Sequence, residues 1–340
     1  MKIVKRLLTC IILVTMILNA VNVFAQKPSM DLPIMGSKID KDIYYAKCRA
    51  EVFLAYLGQK QEVNNITILM NLMKEREACL FELSKGGYII VNINDLSVPE
   101  FAPDGLNPYC KIDNPIYNGP LNYYKEENGK FINIADNSEI DTKAIFLYHK
   151  VAIENKEDYI NTLIKKLQNN TKAVSRPKYI PGRLETWSYN TDGFCGALAC
   201  AICMRYYNDY VDYRYVDIEC IEEIPLTELM RTYVGYYGTE AFDLTNGLNR
   251  YLSSRGVNNR TNYTNGFSFL KIKSSINLDR PAILSIRSHP RYRNHWVVAY
   301  GYLDNTANGQ YVIVNDGWGS INVWLAADAT FMDRIVYFSE

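Results

Sequence analysis

The chain has 340 residues, enough for one or two domains that each bury a sizeable core. Its 37 lysine and arginine residues equal its 37 aspartate and glutamate residues, so the formal net charge is zero. Because this balance provides neither a basic stripe nor an acidic tail, we predict no nucleic-acid partner.

The first 25 residues have the pattern of a secretory signal peptide. Positive charge within residues 1–6 precedes an almost wholly apolar run over 7–21, and small residues precede an expected cleavage between Ala25 and Gln26. A membrane anchor is the alternative, but the apolar run is short for a span. We therefore predict a secreted or cell-surface protein with no stable membrane insertion after signal cleavage.

The region after the signal has alternating helical and strand patterns. Apolar residues at helical spacing predict helices over 42–57 and 158–168. Between them, "CLFELSKGGYIIVNI" predicts two short strands joined by a glycine-containing turn at residues 84–87. The polar segment 169–183 contains two prolines and predicts a linker, so we place a domain boundary near residues 170–180.

The second half has helical patterns first and strand patterns afterwards, which is typical of an α+β domain. Helices are predicted over 195–207, 226–236 and 242–254, and the first is apolar nearly all round and hence buried. A strand over 281–286 precedes a predicted hairpin that turns near Asn308-Gly309.

The cysteines do not form a regular pattern. Seven remain after removal of the signal peptide, and an odd number in an exported protein predicts at least one thiol outside any disulfide. Cys200 and Cys203 form a C-x2-C pair, but they lie within the apolar helix and without a second pair. Core packing is therefore a better interpretation of this pair than a zinc or redox site.

Cys195 differs from these two because it lies where the helix begins. A helix N-terminus and a nearby imidazolium both lower the pKa of a thiol, and the thiolate is the nucleophile. Thr191 or Asp192 is expected to cap the helix. Burial as a small apolar residue is the alternative interpretation of Cys195.

A matching histidine lies downstream of Cys195. The chain has three histidines, His149, His289 and His295, and the last opens the predicted strand "HWVVAYGY". If the hairpin turns around residues 305–309, the returning strand brings Asn315 and Asp316 near His295. Either residue could then fix the histidine ring and its tautomer.

Small residues surround these candidates. Gly196 and the alanines after it would let the sheet approach the helix closely. Gly317 and Gly319 flank Trp318, and they would let its indole cover the pair formed by His295 and Asn315 and exclude water from it. Packing in the core is the alternative for this tryptophan.

Three segments, "FCGALACAICMRYYND", "HWVVAYGY" and "YVIVNDGWG", together resemble the papain-like cysteine peptidases. They are most similar to the streptopain-like branch and to the bacteriocin-leader-processing, C39-like branch, and the resemblance covers about residues 180–340. It implies a papain-like catalytic domain at 173–340, in which a central helix packs on an antiparallel sheet. It also implies Cys195 as nucleophile, His295 as general base and acid, and Asn315 as orienting residue, with Asp316 as the alternative third residue.

The upstream half resembles a streptopain-like prosegment in its stretch "LFELSKGGYIIVNINDLSVPE". This resemblance implies that residues 26–172 form an α+β prodomain, which inhibits the enzyme from within the same chain. Cleavage in the exposed "NNTKAVSR" would then release the active half. The expected partners are a protein or peptide substrate and the chain's own prodomain, and no metal or organic cofactor is implied.

The oxyanion hole departs from the family pattern. Papain-like enzymes usually carry a glutamine where Tyr189 stands here, and Asn190 is the nearest amide that could replace it. Two other functions therefore remain open. One is a catalytically inactive, exported binding module, and the other is a transglutaminase-like acyl transferase that has Asp316 beside His295.

Overall fold

The computed structural model describes residues 40–135, 137–139, 152–169, 176–190, 193–236, 239–289, 293–305 and 309–339. The predicted signal peptide at 1–25 and the central part of the predicted linker, residues 170–175, lie outside the described residues. Among the residues that are described, no helix is long and apolar enough to cross a membrane.

The N-terminal half is a sheet with two helices. Its elements are α1 (Lys41–Tyr56), β1 (Val63–Met70), β2 (Arg76–Leu83), β3 (Tyr88–Asn92), β4 (Glu100–Ala102), β5 (Pro115–Tyr117), β6 (Tyr123–Glu127), β7 (Lys130–Asn133) and α2 (Lys156–Asn169). Both predicted helices are confirmed, and so is the hairpin of β2 and β3. Gly86 and Gly87 have φ angles of 91° and 90° at its turn, a region of backbone conformation that favours glycine.

The C-terminal half begins with the short strand β8 (Lys178–Tyr179) and continues with helices and then strands. Its further elements are α3 (Cys195–Tyr210), α4 (Glu223–Val234), α5 (Ala241–Ser254), β9 (Arg260–Tyr263), α6 (Phe269–Asn277), β10 (Ala282–His289), β11 (Arg293–Asn305), β12 (Gly309–Asn315), β13 (Val323–Ala326) and β14 (Met332–Ser339). The three predicted helices and the hairpin of β11 and β12 are confirmed, and the pair Asn305–Gly309 closes that hairpin. The sequence analysis missed α6, β8, β9, β13 and β14, and β8 lies within the predicted linker.

All the described strands join one sheet. Its order is β7-β6-β5-β1-β2-β3-β4-β13-β12-β11-β10-β14-β9, and β8 pairs with β11. The pairs are antiparallel except for β1 with β5. The described chain is therefore a mixed α and β protein with a large, mostly antiparallel sheet, which is compatible with the predicted α+β class.

The sheet passes from one half of the chain into the other without a break. Strand β4 pairs with β3 on one side and with β13 on the other. One hydrophobic cluster likewise contains buried residues of both halves, among them Phe53 and Phe101 upstream and Tyr311 and Trp324 downstream. The two halves thus share a core as well as a sheet.

Helix α3 lies in the centre of the C-terminal half. Ala197, Ala199 and Ala201 are buried, as are Cys200 and Cys203, so the helix has an apolar surface on nearly every side. It packs on β11, α4 and α5. The arrangement places the first turn of α3 beside the beginning of β11.

Candidate active site

Cys195 is the first residue of α3, and its side chain is buried. Phe194 holds the N-cap position and makes no side-chain cap hydrogen bond. The prediction that Thr191 or Asp192 is the N-cap is therefore wrong, because Phe194 holds that position. Thr191 and Asp192 themselves lie outside the described part of the chain. The first backbone N–H groups of a helix lack helical acceptors and give this end partial positive charge, which favours a thiolate.

His295 lies near the beginning of β11, opposite Ile286 of β10, and is 5% exposed. Its Nε2 lies 2.6 Å from the carbonyl oxygen of Asp316. Because a carbonyl oxygen only accepts, Nε2 carries the hydrogen in this contact, and Nδ1 is then the basic nitrogen of the neutral ring. A main-chain atom thus fixes the tautomer that a general base needs.

Trp318 lies face to face with His295. The two ring centroids are 3.9 Å apart and the ring planes differ by 2°. Gly317 and Gly319, which flank the tryptophan, have φ angles of 73° and 91°, so the tight turn that places the indole depends on glycine. The indole covers one face of the imidazole.

The side chains of Asn315 and Asp316 bond to the main chain around this turn. The fully buried Asn315 donates from Nδ2 to the carbonyl of Glu185 at 2.6 Å, and its Oδ1 accepts from the N–H of Gly317 at 2.8 Å. Oδ1 of Asp316 accepts from the N–H groups of Trp318 and Ser320, at 2.8 and 3.0 Å. The Asp316 atom that meets Nε2 of His295 is its carbonyl oxygen, so the choice of Asn315 or Asp316 as third residue remains a prediction.

The strand register explains this arrangement. Asn315 pairs with Val298, three residues beyond His295 along β11. The chain continues past the end of β12 before it reaches the level of the imidazole, and there the carbonyl of Asp316 faces the ring. A β-bulge between Ala299 and Gly301 shifts the register of this hairpin.

Gly196 allows the close contact between α3 and β11. A Cβ atom on this glycine would collide with the hydroxyl of Thr239, and it would lie 3.4 Å from Cδ1 of Trp296. Trp296 follows His295 in β11 and donates from Nε1 to the carbonyl of Thr239 at 2.9 Å. A Cβ on the residue after the cysteine would thus contact the residue after the histidine, so the first turn of α3 lies beside the beginning of β11.

Asn190 also lies in this neighbourhood. Its Nδ2 and Cε1 of His295 are each 3.8 Å from the point where a Cβ on Gly317 would lie. The amide that the sequence analysis singled out is therefore beside the histidine turn. Its use as an oxyanion donor remains a prediction.

Helix α4 holds the segment before Asn190. The carboxylate of Glu223 accepts from the N–H groups of Ser188 and Tyr189, each at 2.5 Å. The hydroxyl of Tyr189 donates to Glu228 at 3.1 Å. Tyr189, which stands where papain-like enzymes usually carry glutamine, thus has a structural contact to a neighbouring helix.

Arg231 connects the same helix to Phe194. Its guanidinium carbon lies 3.4 Å from the ring centroid of Phe194, and its Nη1 pairs with Glu228. Sequence reasoning missed Glu223, Glu228 and Arg231, since they lie far along the chain from Cys195 and belong to no motif.

The other cysteines of α3 belong to its buried core. Cys200 and Cys203 are fully buried in α3, and burial raises the pKa of both thiols. No disulfide joins any two of the seven described cysteines, and the described residues contain no group of three or more potential metal ligands. His149 and the side chain of His289 lie outside what is described.

A second buried carboxyl lies near Asp316. Glu100 of β4 is fully buried and accepts from the hydroxyls of Tyr88, at 2.5 Å, and Tyr123, and from the N–H of Leu121 at 3.1 Å. Burial, with a smaller contribution from the charge of Asp316, raises the pKa of Glu100 to about 7. Burial likewise raises the pKa of Asp316 to about 6.

The raised pKa values of Glu100 and Asp316 predict that the stability of the folded protein depends on pH. Their ordinary pKa values are 4.5 and 3.8, so the folded protein retains protons that the unfolded chain releases. The stabilisation is complete below about pH 4 and is lost as the pH rises through 6 to 7. We expect the free energy of unfolding to fall over this range, with Glu100 contributing on the order of 3 kcal/mol.

Denaturant unfolding between pH 4 and pH 8 measures this fall. Glu100→Gln should flatten the profile, whereas Glu62→Gln, at an exposed position, should leave it unchanged. Identical profiles for Glu100→Gln and the unaltered chain would contradict the assignment.

The contact at Gly196 predicts a steric effect. Gly196→Ala should lower the free energy of unfolding by about 1–3 kcal/mol, because the new methyl group meets Thr239 and Leu244 in a packed region. Gly266→Ala is the matched control, since a Cβ there has no atom within 4 Å. Chemical denaturation compares the two, and equal effects would show that α3 and β11 are less closely packed than described.

Comparison with known proteins supports the resemblance. Residues 177–336 match the model of the Peptidase_C39 like family, a range that contains Cys195, His295 and Asn315. No curated protein matches the chain significantly. Residues 177–336 are therefore similar to the C39-like family of cysteine peptidases.

Proposed function

We propose that the chain is a secreted cysteine endopeptidase, made as a zymogen, that hydrolyses peptide bonds of protein or peptide substrates. The proposal rests chiefly on one observation. The imidazole of His295 is fixed by the Asp316 carbonyl and covered by Trp318, at the point where β11 touches the first turn of α3. The cysteine peptidase family of this domain supports the same reaction class.

Catalysis begins with the thiol of Cys195. Nδ1 of His295 takes the thiol proton, and the thiolate sulfur attacks the carbonyl carbon of the scissile bond. In this mechanism, the resulting oxyanion accepts hydrogen bonds from the Cys195 backbone N–H and from Nδ2 of Asn190. The peptide C–N bond then breaks as His295 gives its proton to the leaving amine. This step leaves an acyl-enzyme.

The second half of the reaction uses the same histidine. Neutral His295 takes a proton from a water molecule, whose oxygen attacks the thioester carbon of the acyl-enzyme. The C–S bond breaks and the proton returns to the sulfur, so that the enzyme is regenerated. Trp318 lowers the access of bulk water to the imidazole throughout.

Asn315 serves as the third residue through the main chain. Its Oδ1 holds the N–H of Gly317, and its Nδ2 holds the carbonyl of Glu185. These bonds fix the turn whose Asp316 carbonyl orients His295. In this role the asparagine positions the histidine without direct contact to Nε2.

The N-terminal half acts as the intramolecular inhibitor in this proposal. Residues 26–172 would hold the enzyme inactive until the chain is cut in 169–176 and this half is removed. Contacts between the halves support this role: β4 pairs with β13, and Asn122 Nδ2 lies 3.5 Å from the carbonyl of Arg287, which neighbours the strand of His295. The pattern of residues 1–25 supports secretion.

The reaction class is tested by the hydrolysis of peptide substrates. Purified 26–340 should hydrolyse a fluorogenic peptide mixture once it is cut in 169–176 and its N-terminal half is removed, and Cys195→Ala should lower the rate by about 10³-fold or more. Cys200→Ala is the matched control, because it removes a buried thiol from the same helix and should retain activity. Equal, negligible rates for the unaltered and Cys195→Ala proteins would favour an inactive binding module.

The same assay with an added primary amine separates hydrolysis from acyl transfer. Hydrolysis predicts a free carboxylic acid as the main product, and a transglutaminase-like enzyme would incorporate the amine faster than water. Mass spectrometry of the products gives the ratio, and predominant amine incorporation would contradict the peptidase proposal.

A further inference from the structure

Strand β4 of the N-terminal half is an interior strand of the sheet. Phe101 pairs with Ile89 on the side of β3 and with Trp324 on the side of β13. Beyond the ladder, the N–H of Ala326 donates to the carbonyl of Pro99 at 2.9 Å. The C39-like domain therefore has main-chain hydrogen bonds to the N-terminal half along the edge of its own sheet.

Four aromatic rings pack together on one face of the junction between β4 and β13. Phe53 and Phe101 come from the N-terminal half, and Tyr311 and Trp324 come from the C39-like domain. The centroids of Phe101 and Trp324 are 5.3 Å apart, and those of Phe53 and Tyr311 are 5.4 Å apart; both pairs pack edge to face. All four side chains are buried, and the hydroxyl of Tyr311 donates to the carbonyl of Val98 at 3.0 Å.

The opposite face of the junction holds polar groups away from water. Glu100, which pairs with Leu325 in the ladder, is fully buried and bonded to Tyr88, Tyr123 and Leu121. A further contact lies outside the ladder. Gly119 packs so closely on Phe331 of the C39-like domain that a Cβ would lie 2.5 Å from the ring.

Separating the two halves would cost free energy on both sides of the junction. It would turn β4 and β13 into edge strands with unpaired main-chain groups, and it would expose the aromatic side chains that now face each other. Interfaces between domains that move apart are small and comparatively polar. This junction instead consists of a hydrogen-bonded ladder and a shared core, both typical of the interior of one domain.

We propose that cutting the chain between α2 and β8 does not release the N-terminal half. Residues 40–169 stay bound to the C39-like domain as a non-covalent partner, and their removal requires unfolding or further proteolysis. The inference rests on the proposed zymogen only for the existence of the cut. The association itself needs no catalysis, so it can be tested in a chain that lacks Cys195.

The test uses full-length 26–340 with Cys195→Ala and a recognition sequence for a specific protease inserted between residues 169 and 176. After complete cleavage, native mass spectrometry and size-exclusion chromatography at micromolar concentration should show both fragments in one 1:1 complex. The fragments should separate only in denaturant. Separate elution of folded fragments without denaturant would overturn the proposal, whatever the result of the activity assays.

Variants at the junction show whether the described contacts hold the complex. Phe101→Ala should raise the dissociation constant of the cut protein at least tenfold, whereas Phe242→Ala, at a ring that is 58% exposed, should not. Circular dichroism of each uncut variant checks that it folds. Tyr311→Phe, which removes the hydrogen bond to Val98 and keeps the ring, gives a milder test and should weaken the complex severalfold. Equal dissociation constants for the junction variants and Phe242→Ala would contradict the proposed interface.

Discussion

The close approach of helix α3 to strand β11 is the constraint on which the candidate site depends. A nucleophile and its base must lie within hydrogen-bond reach, and the two candidates for these roles, Cys195 and His295, lie a hundred residues apart in the chain. The small side chains of α3 permit the approach, and Gly196 is where it is closest. Trp296 and Thr239 then hold the contact through a hydrogen bond. The position of Cys195 relative to His295 follows from this packing.

The histidine itself is held by main-chain geometry. A glycine-rich turn after β12 presents the Asp316 carbonyl to Nε2 and the Trp318 indole to the ring face. The side chains of Asn315 and Asp316 stabilise that turn, which makes them important to the imidazole without touching Nε2. Burial raises the pKa of Asp316 and of the nearby Glu100, so ionising these carboxyls at neutral pH costs the fold some stability.

Local patterns predicted much of this protein, and long-range pairing accounts for what they missed. Helical spacing located α1, α2 and α3, and the segments around Cys195 and His295 indicated the family. The partner of Nε2 could not be predicted, since a bulge near Ala299 sets which atom reaches the ring. The junction of β4 with β13 was also missed. A three-residue strand is too short for a periodic pattern to predict it, and no local pattern predicts which strand it pairs with.

The rate of alkylation of Cys195 by iodoacetamide, followed between pH 4 and pH 10 by peptide mass spectrometry, tests the central claim most directly. In the unaltered chain the rate should reach half of its plateau at a pH well below the value of about 8.5 that is ordinary for a thiol, because His295 and the end of α3 favour the thiolate. His295→Gln should move that midpoint upward by more than one pH unit and leave the alkylation of Cys110, an exposed cysteine, unchanged. An alkaline midpoint for Cys195 that is the same with and without the histidine would contradict the account.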